Sequence, residues 1–172
     1  MFTCSSVGHF GRWGNSLFQY AAARVAAESI GAELRIPAAW AGRRVFSSVH
    51  EGPIDVALPQ VSEQEWSGED GVDLVGYFQS ERWVSRFSRR RLRKWLVPRE
   101  QVEGPAVAVH KRRSDYVGND YYAVVSDASY ERVLARIAPE GEVRHYHCEA
   151  RTDPHRDFLE IAAARVILRS NS

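Results

Sequence analysis

The chain has 172 residues, and 23 Lys and Arg against 22 Asp and Glu leave a formal charge of +1. A hydrophobic fraction of 44% with five Trp, seven Tyr and seven Phe excludes a disordered tail. The near-zero charge argues against a nonspecific nucleic-acid binder, which carries a strong basic excess.

In chain order, Phe2 to Val7 is a short strand running into the glycine-punctuated turn GHFGRWGNS. Leu17 to Ile30 has apolar residues at helical spacing, with Asn15 or Ser16 at the N-cap and Gly31 at the C-cap. Ala32 to Pro37 is the next strand, and residues 38–71 read as loops and short elements. Val72 to Phe78 reads as a buried strand. Gln79 to Leu96 reads as one helix with Trp83, Val84, Phe87 and Trp95 on its apolar face. The segment 98–105 (PREQVEGP) reads as a linker. Beyond it, strand Ala106–His110, helix Ala128–Ala138, strand Glu142–Cys148, helix Arg156–Ala164 and strand Arg165–Leu168 spell βαβαβ. The domains are therefore expected at 1–97 and 106–172, both α/β.

No apolar run approaches the roughly 20 residues that span a bilayer. The opening MFTCSSVGHFGRWGN lacks the pattern of a secretory signal. A cytoplasmic protein is expected, at most peripherally associated with a membrane.

Four groups of residues could carry chemistry. Gly8 to Asn15 lies between a strand and a helix, where glycines admit a ligand to backbone N–H groups and a helix N-terminus favours negative charge. Its G-x-x-G-x-x-G spacing is neither the dinucleotide fingerprint nor a P-loop, and a capped tight turn would read the same way. His110-Lys111-Arg112-Arg113-Ser114-Asp115 follows a strand's carboxyl end, where open α/β sheets bind ligands. Consecutive arginines there suit a diphosphate, with Asp115 orienting a guanidinium or a ligand hydroxyl; the alternative is a solvated charged turn.

Arg82, Arg86, Arg89, Arg90, Arg91, Arg93 and Lys94 make a basic helix interleaved with aromatics. It reads either as a phosphate-tracking face or as an ordinary wet one. His145 and His147 share a strand face, with Cys148 pointing the other way and His155 nearby. No third ligand stands at fixed spacing, so no metal is assigned. Cys4 and Cys148 alone make neither a disulfide framework nor a cysteine-based zinc site.

Four segments, taken together, resemble a known family. Gly11 to Arg24 (GRWGNSLFQYAAAR) is similar to the N-terminal signature of the α-1,2-fucosyltransferase-like proteins of glycosyltransferase family 11. Gly76 to Glu81 (GYFQSE) resembles that family's middle block, and His110 to Val117 its H-x-R-R-x-D donor motif. Arg169-Ser170-Asn171-Ser172 resembles the start of a third block that continues T-F-S-W-W. Ser16, Trp13 and Ser114 depart from the commonest family residues, and no acidic F-S-D-D-like segment precedes Ser170.

The resemblance implies a GT-B-like fold of two Rossmann-like domains, the second incomplete at its C-terminus. It implies metal-independent, inverting transfer of L-fucose from GDP-fucose to a glycan hydroxyl, usually on galactose. By motif position, Arg112 and Arg113 would grip the diphosphate, while His110 and Asp115 shape the donor pocket. Gly11, Arg12, Gly14 and Asn15 would approach the donor from the first domain, and Ser170 and Asn171 would belong to its pocket. Arg113, Arg112, Asp115 and Asn15 are the expected catalytic residues, with the general base unassigned. A GDP-sugar-binding remnant without turnover, or a nucleic-acid binder using the basic helix, are the competing readings.

Overall fold

A computed structural model describes residues 1–113, 117–118, 124–147 and 154–169. It is a mixed α/β structure with parallel sheets, dividing into two compact units between Glu100 and Gln101.

The first unit contains β1 (Phe2–Thr3), α1 (Trp13–Ile30), β2 (Leu34–Ile36), α2 (Gly42–Val45) and β3 (Gly52–Pro53). It continues with β4 (Gln60–Ser62), β5 (Asp73–Val75), α3 (Glu81–Val84) and α4 (Arg89–Trp95). Its five strands are parallel in the order β3-β2-β1-β5-β4. Phe2, Ile36 and Leu74 are fully buried strand residues, so the sheet centre is apolar although no strand exceeds three residues. Helix α1 is buried around most of its circumference, from Ser16 through Ala27, as a helix covering a central sheet must be. Trp40 packs on Tyr20 of this helix at 4.7 Å between ring centroids.

Several elements differ from the sequence reading. Helix α1 begins at Trp13, four residues early, with Arg12 at the N-cap position and no side-chain cap. Neither Asn15 nor Ser16 caps it: Ser16 Oγ donates to the Trp13 carbonyl at 2.7 Å, and Asn15 serves another partner described below. Gly31 closes the helix in the left-handed conformation, as its sequence pattern predicts. The single helix expected over 79–96 is two short ones, because Ser88 caps α4 by accepting the Arg91 N–H at 3.2 Å. The break shifts the helical phase, so Trp83 and Trp95 are buried while Val84 is 41% exposed.

The second unit runs β6 (Val107–Lys111), α5 (Asp127–Ile137), β7 (Val143–His147), α6 (Pro154–Ala163) and β8 (Val166–Arg169). Its parallel strands stand in the order β7-β6-β8, around a core of Val107, Val109 and Tyr130. This is the βαβαβ rhythm of the sequence, with each element boundary displaced by at most two residues. The segment 98–105 is fastened at each end within its own unit. Pro98 bridges Phe46, and the Arg99 N–H donates to the Val45 carbonyl at 2.9 Å. Gly104 lies so close to the backbone of Ala163 and Ala164 that a Cβ would collide with it.

Among the described residues no helix is long and apolar enough to cross a membrane.

Candidate functional site

In an open parallel sheet, ligands bind beyond the carboxyl ends of the strands where the strand order reverses. In the first unit that point lies between β1 and β5. Two segments leave the sheet there, the glycine turn after β1 and Gly76–Ser80 after β5. Asp73, at the start of β5, ties the strands together by accepting the Ser5 N–H at 2.8 Å, Ser5 Oγ at 2.6 Å and Thr3 Oγ1 at 2.9 Å.

The glycine turn is pinned from beneath by Gln19, which is fully buried. Its Oε1 accepts the Gly8 N–H at 3.1 Å, and its Nε2 donates to the Phe10 carbonyl at 2.6 Å. Gly11 has φ +77°, and a Cβ there would strike the Asn15 side chain. Gly14, in contrast, is exposed, and among the described residues a Cβ there would meet nothing within 4 Å outside the helix's own backbone and chain neighbours. The first turn of α1 itself carries no acidic side chain. Arg12 is exposed at the N-cap.

The second segment is held by a buried carboxylate. Glu63 accepts the Phe78 N–H, and a Cβ on Gly76 would collide with the Glu63 side chain. Phe78 adopts φ +57°, a left-handed conformation that costs a non-glycine residue about 1 kcal/mol or more. Its ring is fully buried, edge-on to Trp83 at 5.1 Å, which holds it there. With Phe78 turned inward, its neighbours Tyr77 and Gln79 are exposed. Gln79 Nε2 donates to Asn15 Oδ1 at 2.9 Å, so the GRWGN and GYFQSE segments meet in space.

In the second unit, the reversal lies between β6 and β8, where His110 stands in register with Arg169. Lys111 is buried, and its Nζ donates to Asp127 Oδ1 at 2.6 Å. Arg113 reaches the same oxygen at 2.8 Å. Bonding from Lys111, and then from Arg113, holds the Asp127 carboxyl down at about 2, below the ordinary 3.8. Lys111 also lies 5.5 Å from the centre of the Tyr130 ring, whose hydroxyl donates to the His110 carbonyl at 3.4 Å. Arg112 is half-buried beside them.

Asp115, Ser114, Cys148, Ser170 and Asn171 lie outside the described residues. Among the described residues Asp127 orients Arg113. The basic helix is partly structural, since Arg82 donates to the Gln64 carbonyl at 2.8 Å and to those of Glu63 and Trp66. Arg86 lies over the Trp83 ring at 5.3 Å. His145 and His147 are exposed on β7, and among the described residues no group of three or more His, Cys, Asp or Glu is placed to hold a metal.

Gln19, Glu63 and Asp127 were not singled out from the sequence. Asp127 had a usable signal: a Ser-Asp pair opening a helix puts an acid at its first turn, beside the preceding strand's carboxyl end in a βαβ unit. Gln19 reaches back to Phe10 and Gly8 and Glu63 reaches forward to Phe78, contacts that follow no sequence pattern.

No family model matches the chain, and no curated protein matches it either.

Proposed function

We propose that the chain is a GT-B-like inverting transferase that moves L-fucose from GDP-fucose to a galactose-type hydroxyl of a glycan. The observation that carries this reading is the cationic group Lys111 and Arg113 at the carboxyl end of β6, preset by Asp127. The resemblance of four ordered segments to the family supplies the donor and the sugar.

In this reading the acceptor hydroxyl oxygen bonds to C1 of fucose while the C1–O bond to the diphosphate breaks from the opposite face. The bonding pair goes to the β-phosphate oxygen, and the hydroxyl proton passes to a general base. Negative charge therefore grows on GDP as the sugar becomes oxocarbenium-like. Arg112 and Arg113, as fixed bidentate donors, would stabilise that charge in place of a divalent cation. A diphosphate would compete with Asp127 for Arg113, and Lys111 would keep Asp127 occupied. His110 and Asp115 would shape the donor pocket with Ser170 and Asn171. The turn formed by Gly11, Arg12, Gly14 and Asn15 would offer its backbone N–H groups and the Asn15 amide to the substrates.

The test is transfer of fucose from GDP-fucose to lactose by the full chain, with GDP release measured alongside. Arg113→Ala is expected to lower turnover by about 100-fold or more, the scale of one lost charge-stabilising donor. Turnover preserved in that variant, or absent in the parent, would remove the proposal.

A further inference from the structure

We propose that Phe10 and Tyr77, together with the Asn15–Gln79 amide pair, form a platform for a pyranose ring of the acceptor saccharide. The acceptor's identity rests on the transferase reading above; the platform itself rests on three observations from the structure.

The first is an exposed aromatic surface drawn from two segments. Phe10 and Tyr77 remain 40% and 48% exposed, yet their rings pack against each other at 5.6 Å with 33° between planes. Two rings that could have been buried instead present one continuous apolar surface to water. The second is a polar rim. Gly11 carries the Phe10 turn against the Asn15 side chain, and Asn15 accepts from Gln79, two residues beyond Tyr77. The Asn15 Nδ2 and Gln79 Oε1 atoms are the donor and acceptor that this bond leaves available. An aromatic floor with a few placed amides fits a sugar, which has one apolar C–H face and a ring of hydroxyls.

The third observation is that the platform is built at a cost. Phe78 is held at positive φ by the buried Glu63 carboxylate and by Trp83, and that inward turn is what leaves Tyr77 and Gln79 outside. Gln19 in turn holds the Phe10 carbonyl from below. Strain held at Phe78, and a buried glutamine bonded to the Phe10 carbonyl, fit a presented surface better than an incidental one. The platform also sits at the carboxyl ends of β1 and β5, where the strand order reverses.

The experiment is saturation-transfer NMR and titration of the full chain with lactose, alongside a GDP titration of the same samples. Galactose H3, H4 and H5, the protons of its apolar face, are expected to receive the strongest transfer. The double variant Phe10→Ala/Tyr77→Ala should raise the lactose Kd at least fivefold while GDP affinity stays within twofold. The single variant Tyr77→Ala should give a smaller rise in the same direction, and its thermal unfolding serves as the check on folding. Lactose affinity unchanged in both variants, or no lactose binding by the parent, overturns the platform. Failure of GDP to bind overturns the transferase reading instead, and ring-dependent lactose binding in that case still supports the platform.

Discussion

Gln79 donates its side-chain amide to Asn15 at 2.9 Å across 64 positions of sequence. This bond joins the first turn of α1, which follows β1, to the segment after β5, and the sheet order reverses between β1 and β5. It ties down an asparagine that the sequence suggested as a helix cap, and it fixes which face of the amide points to solvent. Because the pair is exposed, its energy is modest. A double-mutant cycle with Asn15→Ala and Gln79→Ala should give a coupling of about 0.5–1 kcal/mol in urea unfolding. Strict additivity of the two substitutions would show that the bond is not formed in solution.

Gln19 has a larger expected effect. Replacing it with Leu keeps the volume but leaves the Gly8 N–H and the Phe10 carbonyl without their buried partner. Both bonds are part-buried and worth about 0.5–1.5 kcal/mol each, so Gln19→Leu should destabilise the chain by about 1–3 kcal/mol. Faster amide exchange across residues 8–12 should accompany the loss. An unfolding midpoint indistinguishable from the parent's would contradict this role.

The Asp127 ion pairs make a pH prediction. Its carboxyl titrates at about 2 in the folded chain against an ordinary 3.8. A depressed carboxyl stabilises the fold above the unfolded value, and that contribution fades as pH falls from about 4 toward 2. A carboxyl-carbon NMR titration of Asp127 should give a midpoint near 2, rising toward 3.8 in Lys111→Met. A parent midpoint at the ordinary value would mean that Lys111 and Arg113 do not hold this group.

Cys4 is fully buried, and burial pushes its thiol up to about 12 from an ordinary 9.0. The thiol therefore stays protonated and inert at pH 8, where a surface cysteine begins to react. Alkylation followed by peptide mapping should find Cys4 unmodified until the chain unfolds. Since the raised group favours the neutral form, its stabilising contribution is lost as pH climbs from about 9 toward 12. Rapid labelling of Cys4 under native conditions would refute the buried placement.

The second unit was the more legible half in the sequence. Its strands of four or five residues alternate with helices of ten and eleven, so the period of apolar residues changes clearly from one element to the next. The first unit builds its sheet from strands of two or three residues, one ending at Pro53, which carry almost no periodic signal. Residues 81–95 kept their two buried tryptophans in helices but concealed a break, because Ser85 and Ser88 are acceptable inside a helix and better at its caps. At the site, the arginine pair following β6 was visible as charge at a strand's end. The carboxylate that orients Arg113 came from α5, because adjacency in a βαβ unit is a property of the crossover rather than of spacing. Other arginines serve the fold itself. Arg43 spends its guanidinium on the carbonyls of Ile36, Pro37, Glu51 and Gly52, fastening β2 and β3.

The most direct test of the account is a GDP titration of the full chain, parent against Arg113→Ala, with Arg89→Gln/Arg90→Gln/Arg91→Gln as the comparison. The account predicts that Arg113→Ala weakens GDP binding at least tenfold, while the α4 variant stays within about twofold of the parent. GDP affinity retained in Arg113→Ala, or lost only in the α4 variant, would contradict it.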